Sequence, residues 1–219
     1  MKKISFKKLF VVLISLFFFA TLNATSGEGL YKIRVNGDSK IWIEGDSTMH
    51  AYKSVSSITS MNAAALFKVK PDDSLVSVMT DKKYAQSMRD LILNLVVKLD
   101  VKNFRSNTPG FDSKFYDTLK AENYPEIVFK PAKYTIQKSG NNNGVFSIIS
   151  EGTVRIANKE KYITVRTSAK IQNGTVILSG EKDLLMTDFG LTPPELLFVK
   201  ADDKVTVKWN LYLSLIPGN

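Results

Sequence analysis

Across residues 204–215 the chain alternates without a break. Val205, Val207, Trp209, Leu211, Leu213 and Leu215 share one phase; Lys204, Thr206, Lys208, Asn210, Tyr212 and Ser214 take the other. Successive side chains of a strand point to opposite faces, so this pattern predicts a half-buried β-strand. Residues 90–101 repeat it, with Leu91, Leu93, Leu95, Val97, Leu99 and Val101 in phase, and residues 162–171 repeat it again through Ile163, Val165, Thr167, Ala169 and Ile171. Less regular strands are expected at 31–35, 40–44, 57–69, 126–137, 145–157 and 175–181. Turn chemistry separates them at Asn36-Gly37-Asp38, across 139–144, at Asn173-Gly174 and at Asp202-Asp203. Asn-Gly is the strongest short hairpin signal among these.

One stretch departs from period two. Phe111, Phe115 and Leu119 recur every four residues, Asp112 or Ser113 can cap exposed N–H groups, and Pro125 follows. The spacing predicts a short helix over 114–121 with its apolar stripe packed on the sheet. Eight or nine consecutive strands with hairpin turns suit an antiparallel sandwich or a closed barrel. Strand length favours the barrel. Twelve residues at ~3.3 Å span ~40 Å, and closure removes the long open edges that would otherwise pair with other chains. The expected fold is therefore all-β, an extended antiparallel barrel of about eight strands with one short helix.

The beginning of the chain reads differently. Lys2, Lys3, Lys7 and Lys8 precede an uncharged apolar run over 9–20, followed by small and polar residues. This is the layout of a secretory signal peptide, with cleavage expected after Ala24. Twelve helical residues rise only ~18 Å, short of a ~30 Å hydrocarbon core, so no membrane anchor is expected after cleavage. The division is a leader over 1–24 and one domain over 25–219.

Composition then excludes function classes. The net charge of +9, from 30 Lys and Arg against 21 Asp and Glu, owes four of its lysines to the leader, and the rest are scattered. That weakens any case for nucleic acid as a partner. With no Cys and one His, thiolate chemistry and multi-histidine metal sites are absent from the sequence. His50 stands near Ser47 and Asp46, but that spacing does not build a triad and no Gly-x-Ser-x-Gly elbow exists. The acids Asp112, Asp117, Glu122 and Glu126 read as a solvated helix face. No catalytic residue, cofactor, nucleotide site or metal is expected, and the chain is not expected to be an enzyme.

Three motifs, in order, carry a resemblance. Gly45-Asp46-Ser47-Thr48-Met49-His50 is similar to the Gly-x-Ser-x-x-His step that follows the second strand in one branch of the YceI-like family. Leu119-Lys120-Ala121-Glu122-Asn123-Tyr124-Pro125, ahead of Ile127 and Phe129, resembles the central signature of that family, and Asp188-Phe189-Gly190 its late segment. Two departures stand out: Ala51-Tyr52 where the branch often has Asp-Trp, and Asn158 where a hairpin Gly is usual, Asn being tolerant of the left-handed conformation. The resemblance implies a lipocalin-like barrel, exported into the periplasm, associated with holding a long-chain isoprenoid or related lipid in its interior.

For such a ligand the inward phases matter. The candidate binding residues are Met61, Phe67, Leu93, Leu95, Val97, Phe146, Ile148, Val207, Trp209 and Leu211, with small Ala63, Ala65, Ala169 and Gly152 leaving room. A polar head group is expected at the barrel mouth near residues 46–52 and 187–194, where Lys or Arg could pair with a phosphate. Alternation is equally satisfied by side chains that meet and fill the interior. In that case the chain is a solid-cored interaction or stress module without a ligand.

Overall fold

A computed structural model describes residues 29–57, 61–63, 67–69, 95–139, 145–196 and 198–217. The expected leader over 1–24, the cleavage site and Leu93 lie outside the described residues. Among the described residues there are twelve strands: β1 (Gly29–Val35), β2 (Lys40–Ser47), β3 (Tyr52–Ser57), β4 (Met61–Ala63), β5 (Phe67–Val69) and β6 (Leu95–Asp100), then β7 (Glu126–Lys138), β8 (Val145–Ile156), β9 (Lys159–Gln172), β10 (Thr175–Leu185), β11 (Glu195–Leu196) and β12 (Val199–Pro217). A single α-helix, α1 (Phe111–Thr118), is present among the described residues. The sheet runs β3-β2-β12-β10-β9-β8-β7-β6-β4, with β1 joining β12 to β5. Every pair is antiparallel, and the sheet curls into the expected barrel. At one end of the seam, Val55 and Arg105 exchange backbone hydrogen bonds of 2.8 and 2.9 Å, tying β3 to the segment after β6.

The long strands occur where the alternation is cleanest. β7, β8 and β9 have 13, 12 and 14 residues, and β12 has 19. β12 is that long because β1 and β2 lie end to end along one of its edges while β10 covers the other. The Asn36-Gly37-Asp38 turn is therefore not a hairpin. It is a bulge between two collinear strands, stitched by the Asn36 N–H to the Tyr212 carbonyl at 2.8 Å and by the Tyr212 N–H to Ser39 Oγ at 2.9 Å. Asp202-Asp203 is likewise an irregularity inside β12, not a turn. The Asp203 carboxylate accepts from the Thr187 N–H and hydroxyl at 2.8 and 2.6 Å, fixing the 3-10 turn over Thr187–Phe189.

Asn173-Gly174 is the hairpin turn its chemistry predicts, with φ of 50° and 73°. At the β8–β9 hairpin the left-handed residue is Ala157 (φ 50°) and not Asn158. A left-handed alanine costs about 1–2 kcal/mol, and its methyl group is buried among Val154, Ile156 and Phe189. Of the expected strand over 57–69, β4 pairs with β6 and β5 with β1. β6 stops at Asp100, whose carboxylate accepts the Lys102 N–H at 2.8 Å and opens a 3-10 turn.

Helix α1 begins three residues earlier than its spacing predicts. Gly110, at φ 76°, supplies the entry, and neither Asp112 nor Ser113 caps it. Asp112 instead accepts the Ser106 N–H at 2.8 Å and pins the preceding loop. The helix ends at Thr118, three residues short of the expected 121; beyond it Lys120 is left-handed at φ 56° and the Ala121 N–H reaches the Tyr116 carbonyl at 2.9 Å. The expected stripe is real: Phe111 and Phe115 stack at 6.0 Å, Phe115 meets Phe104 at 5.6 Å, and Leu119 is buried.

On the outer face, the Glu44 carboxylate gathers Lys208 at 2.7 Å, Lys53 at 3.3 Å and the Trp42 indole N–H at 2.8 Å. The Lys208 ammonium above all, with Trp42 and Lys53, holds its pKa at about 2 against the usual 4.5, although partial burial pulls the other way. A carboxylate held low stabilises the fold above its unfolded pKa and loses that contribution as pH falls. Because the side chain is 35% exposed, solvent screening limits the contribution to about 1 kcal/mol. Glu44→Gln is expected to lower stability by about that amount at pH 7, with the difference vanishing between about pH 4.5 and 2. Urea midpoints of both proteins across that range check it.

Candidate functional site

The barrel is hollow. A cavity of about 500 Å³ runs along its axis, walled by inward side chains of seven strands. Ile41 and Ile43 come from β2; Leu95, Val97 and Leu99 from β6; Ile127 and Phe129 from β7. Ile148, Val154 and Ile156 come from β8, Ile163 and Val165 from β9, Leu178 and Leu184 from β10, and Val205, Val207, Trp209 and Leu211 from β12. Each set follows one phase of its strand, so the alternation that folds the sheet also builds the wall. Phe111 and Phe115 of α1 and Leu119 just after it, with Met186, Phe189 and Leu191, cover the end where β2, β6, β8 and β10 finish.

The mouth lies at this covered end, lined by Ser47, His50 and Tyr52, by Thr108, Pro109 and Gly110, and by Pro194, Glu195 and Val199. Tyr52 lies flat over Gly45, where even a methyl group would fall 2.2 Å from the phenol oxygen. Burial pushes the Tyr52 phenol above its ordinary pKa, with Asp202 and Asp46 adding to the effect. His50 and Ser47 form a turn. The Ser47 hydroxyl donates to the His50 carbonyl at 2.7 Å and accepts the His50 N–H at 3.1 Å, while Asp46 Oδ1 accepts the Ser47 N–H at 2.8 Å.

Of the ten candidate binding residues, Leu95, Val97, Ile148, Val207, Trp209 and Leu211 line the cavity. Phe146 shares the phase of Ile148, is 1% exposed and pairs in register with Ala169, but it does not line the cavity. Met61 pairs in register with Val97, and Phe67 with Tyr31; the side chains of Met61 and Phe67, like Leu93, lie outside what is described. The basic groups expected on the mouth loops are not there, since neither 46–52 nor 187–194 contains Lys or Arg. Among the described residues the lysines on the lining are Lys114 of α1 and Lys182 of β10.

Sequence reasoning packed the helix stripe on the sheet and named no β9 or β10 side chain as a binding residue. The signal for Lys182 was available: it shares the inward phase of Leu178 and Leu184. Trp209 and Gly180 explain each other, because a methyl group at Gly180 would lie 2.4 Å from the Trp209 ring and 2.7 Å from the Arg166 carbonyl. Among the described residues no group of three or more His, Asp and Glu is placed to hold a metal ion, and no helix is long and apolar enough to cross a membrane.

Comparison with known proteins agrees with this architecture. Burkholderia cenocepacia BcnA has a similar structure, with a TM-score of 0.56 at 16% identity over 82% of this chain and 99% of that one. A polyisoprenoid binding domain from Saccharophagus degradans, implicated in plant cell wall breakdown, gives 0.52 at 9% identity over 85% and 98%. No curated protein matches the chain in sequence. The model of the YceI-like domain matches residues 39–213, most of the chain and nearly all of the barrel, and the protein belongs to that family.

Proposed function

We propose that the chain is an exported, non-enzymatic carrier that holds a long apolar lipid, polyisoprenoid-like, inside its barrel. The observation that carries this reading is the cavity of about 500 Å³ with a wall of aliphatic and aromatic side chains and an open mouth. Its size falls in the range of about 300–1,000 Å³ in which small-molecule sites lie. At ~0.8 kcal/mol per buried methylene, a ten-carbon chain offers ~8 kcal/mol before association costs, enough for retention without directional chemistry. The name of the Saccharophagus domain supports the ligand class. The basic, then apolar, stretch over 1–24 supports export. The engagement of Ser47 with backbone supports a role without catalysis. A solid-cored module acting through its outer surface would leave the hollow without a use.

Organic extraction of the purified full chain, followed by mass spectrometry, tests the proposal. A long isoprenoid-type lipid at near one equivalent is the expected result. Protein that carries no lipid, and takes up neither farnesol nor farnesyl phosphate on incubation, overturns it.

A further inference from the structure

The hydrogen bonding of the barrel wall is interrupted between β9 and β10. β10 pairs with β12 along its whole length, from Thr175 to Leu185. With β9 it pairs only from Thr175 opposite Gln172 to Gly180 opposite Thr167. Beyond Gly180 the two strands run on unpaired with each other while β9 stays bonded to β8. Nearer the rim, Lys161 of β9 forms an ion pair with Asp188 of the 3-10 turn that follows β10. Between these points is a slot, occupied on its outer side by a cleft of about 460 Å³ lined by Thr164, Arg166, Glu181, Lys182 and Asp183. Lys182 is the one residue that lines both this cleft and the axial cavity.

The charges around the slot are not balanced. Asp183 is engaged by Lys204 at 3.1 Å and the Thr206 hydroxyl at 2.6 Å, and Glu181 faces Lys208 at 3.7 Å. Both acids are thus turned to cations of β12, and among the described residues Lys182 and Arg166 form no ion pair. An ammonium on the edge of an apolar cavity is costly unless its head reaches water or an anion. A lysine stem along an aliphatic wall with its head in a slot meets that condition.

We propose that the slot between β9 and β10 holds the phosphate head group of a prenyl-type lipid whose chain lies in the cavity, with Lys182 as its principal cation. This rests on the carrier reading and refines it. The polar end leaves through the side of the barrel at Gly180, not through the mouth beside His50. Arg166, on the outer side of the same cleft, offers a second cation to the anion.

Binding of farnesyl phosphate, farnesol and inorganic phosphate to the purified full chain, by calorimetry, tests the assignment. Lys182→Met keeps the apolar stem and is expected to weaken farnesyl phosphate by about tenfold or more. Farnesol should stay within about twofold, Lys182→Arg should retain the phosphate preference, and all variants should share the wild-type thermal midpoint. Inorganic phosphate alone is expected to bind far more weakly than farnesyl phosphate. Unchanged farnesyl phosphate affinity in Lys182→Met, or an equal loss for both prenyl probes, overturns the slot while leaving the carrier intact. Inorganic phosphate binding as tightly as the prenyl ester would identify a free-anion site and also overturn it. Failure of both prenyl probes on the wild type overturns the carrier reading itself.

Discussion

Ile148→Trp combined with Val207→Phe is expected to lower affinity for farnesol by about a hundredfold while the barrel remains folded. Both side chains lie on the cavity wall, on β8 and β12, so the added rings project into free space and not into packed neighbours. Overpacking normally costs about 1–3 kcal/mol because neighbours must move; here the hollow absorbs most of the added volume. Excluding four methylene-sized groups of the guest at about 0.8 kcal/mol each removes about 3 kcal/mol, which is about two factors of ten. Calorimetric titration with farnesol, beside a thermal melt of the double variant, reads both halves. Full affinity in a folded double variant would place the guest somewhere other than this cavity.

Phe104→Ala should cost about 3–5 kcal/mol of stability, the range for large aromatics removed from a core. Phe104 has no exposed surface, packs on Phe115 of α1, and sits with Ile41, Ile43, Leu99 and Leu211 in one cluster. It also precedes Arg105, whose backbone closes the seam onto Val55. Losing the ring leaves a void under both the helix and the seam. Against a total stability of about 5–15 kcal/mol, that is a large fraction. Urea unfolding checks it. A midpoint shift worth less than about 1 kcal/mol would mean that the helix packs independently of this ring.

The legible part of this molecule was its alternation. The wall residues on β6, β8 and β12 were readable because one apolar and one polar phase can be separated by eye, and six of the ten site residues named on that basis line the hollow. β3 escaped notice for the opposite reason: its inward phase carries Ser54 and Ser56, both buried, so the expected contrast is inverted. The turn at 36–38 and the acids at 202–203 carry real turn chemistry, yet long-range pairing along β12 uses both as bulges. Local propensity cannot report a partner more than 170 residues away, as the bond from Asn36 to Tyr212 requires. Whether inward side chains meet or leave a space is decided by barrel radius, which no single strand encodes.

The closing role of β12 has a kinetic consequence. It bonds to β1, β2, β10 and β11, and Tyr31 finds its partner at Pro217. Such high contact order means that loop-closure entropy is spent before much native pairing repays it, a condition for slow folding. Until the final strand arrives, β2 and β10 present bare edges to anything nearby, so the nascent chain depends on being kept from its neighbours.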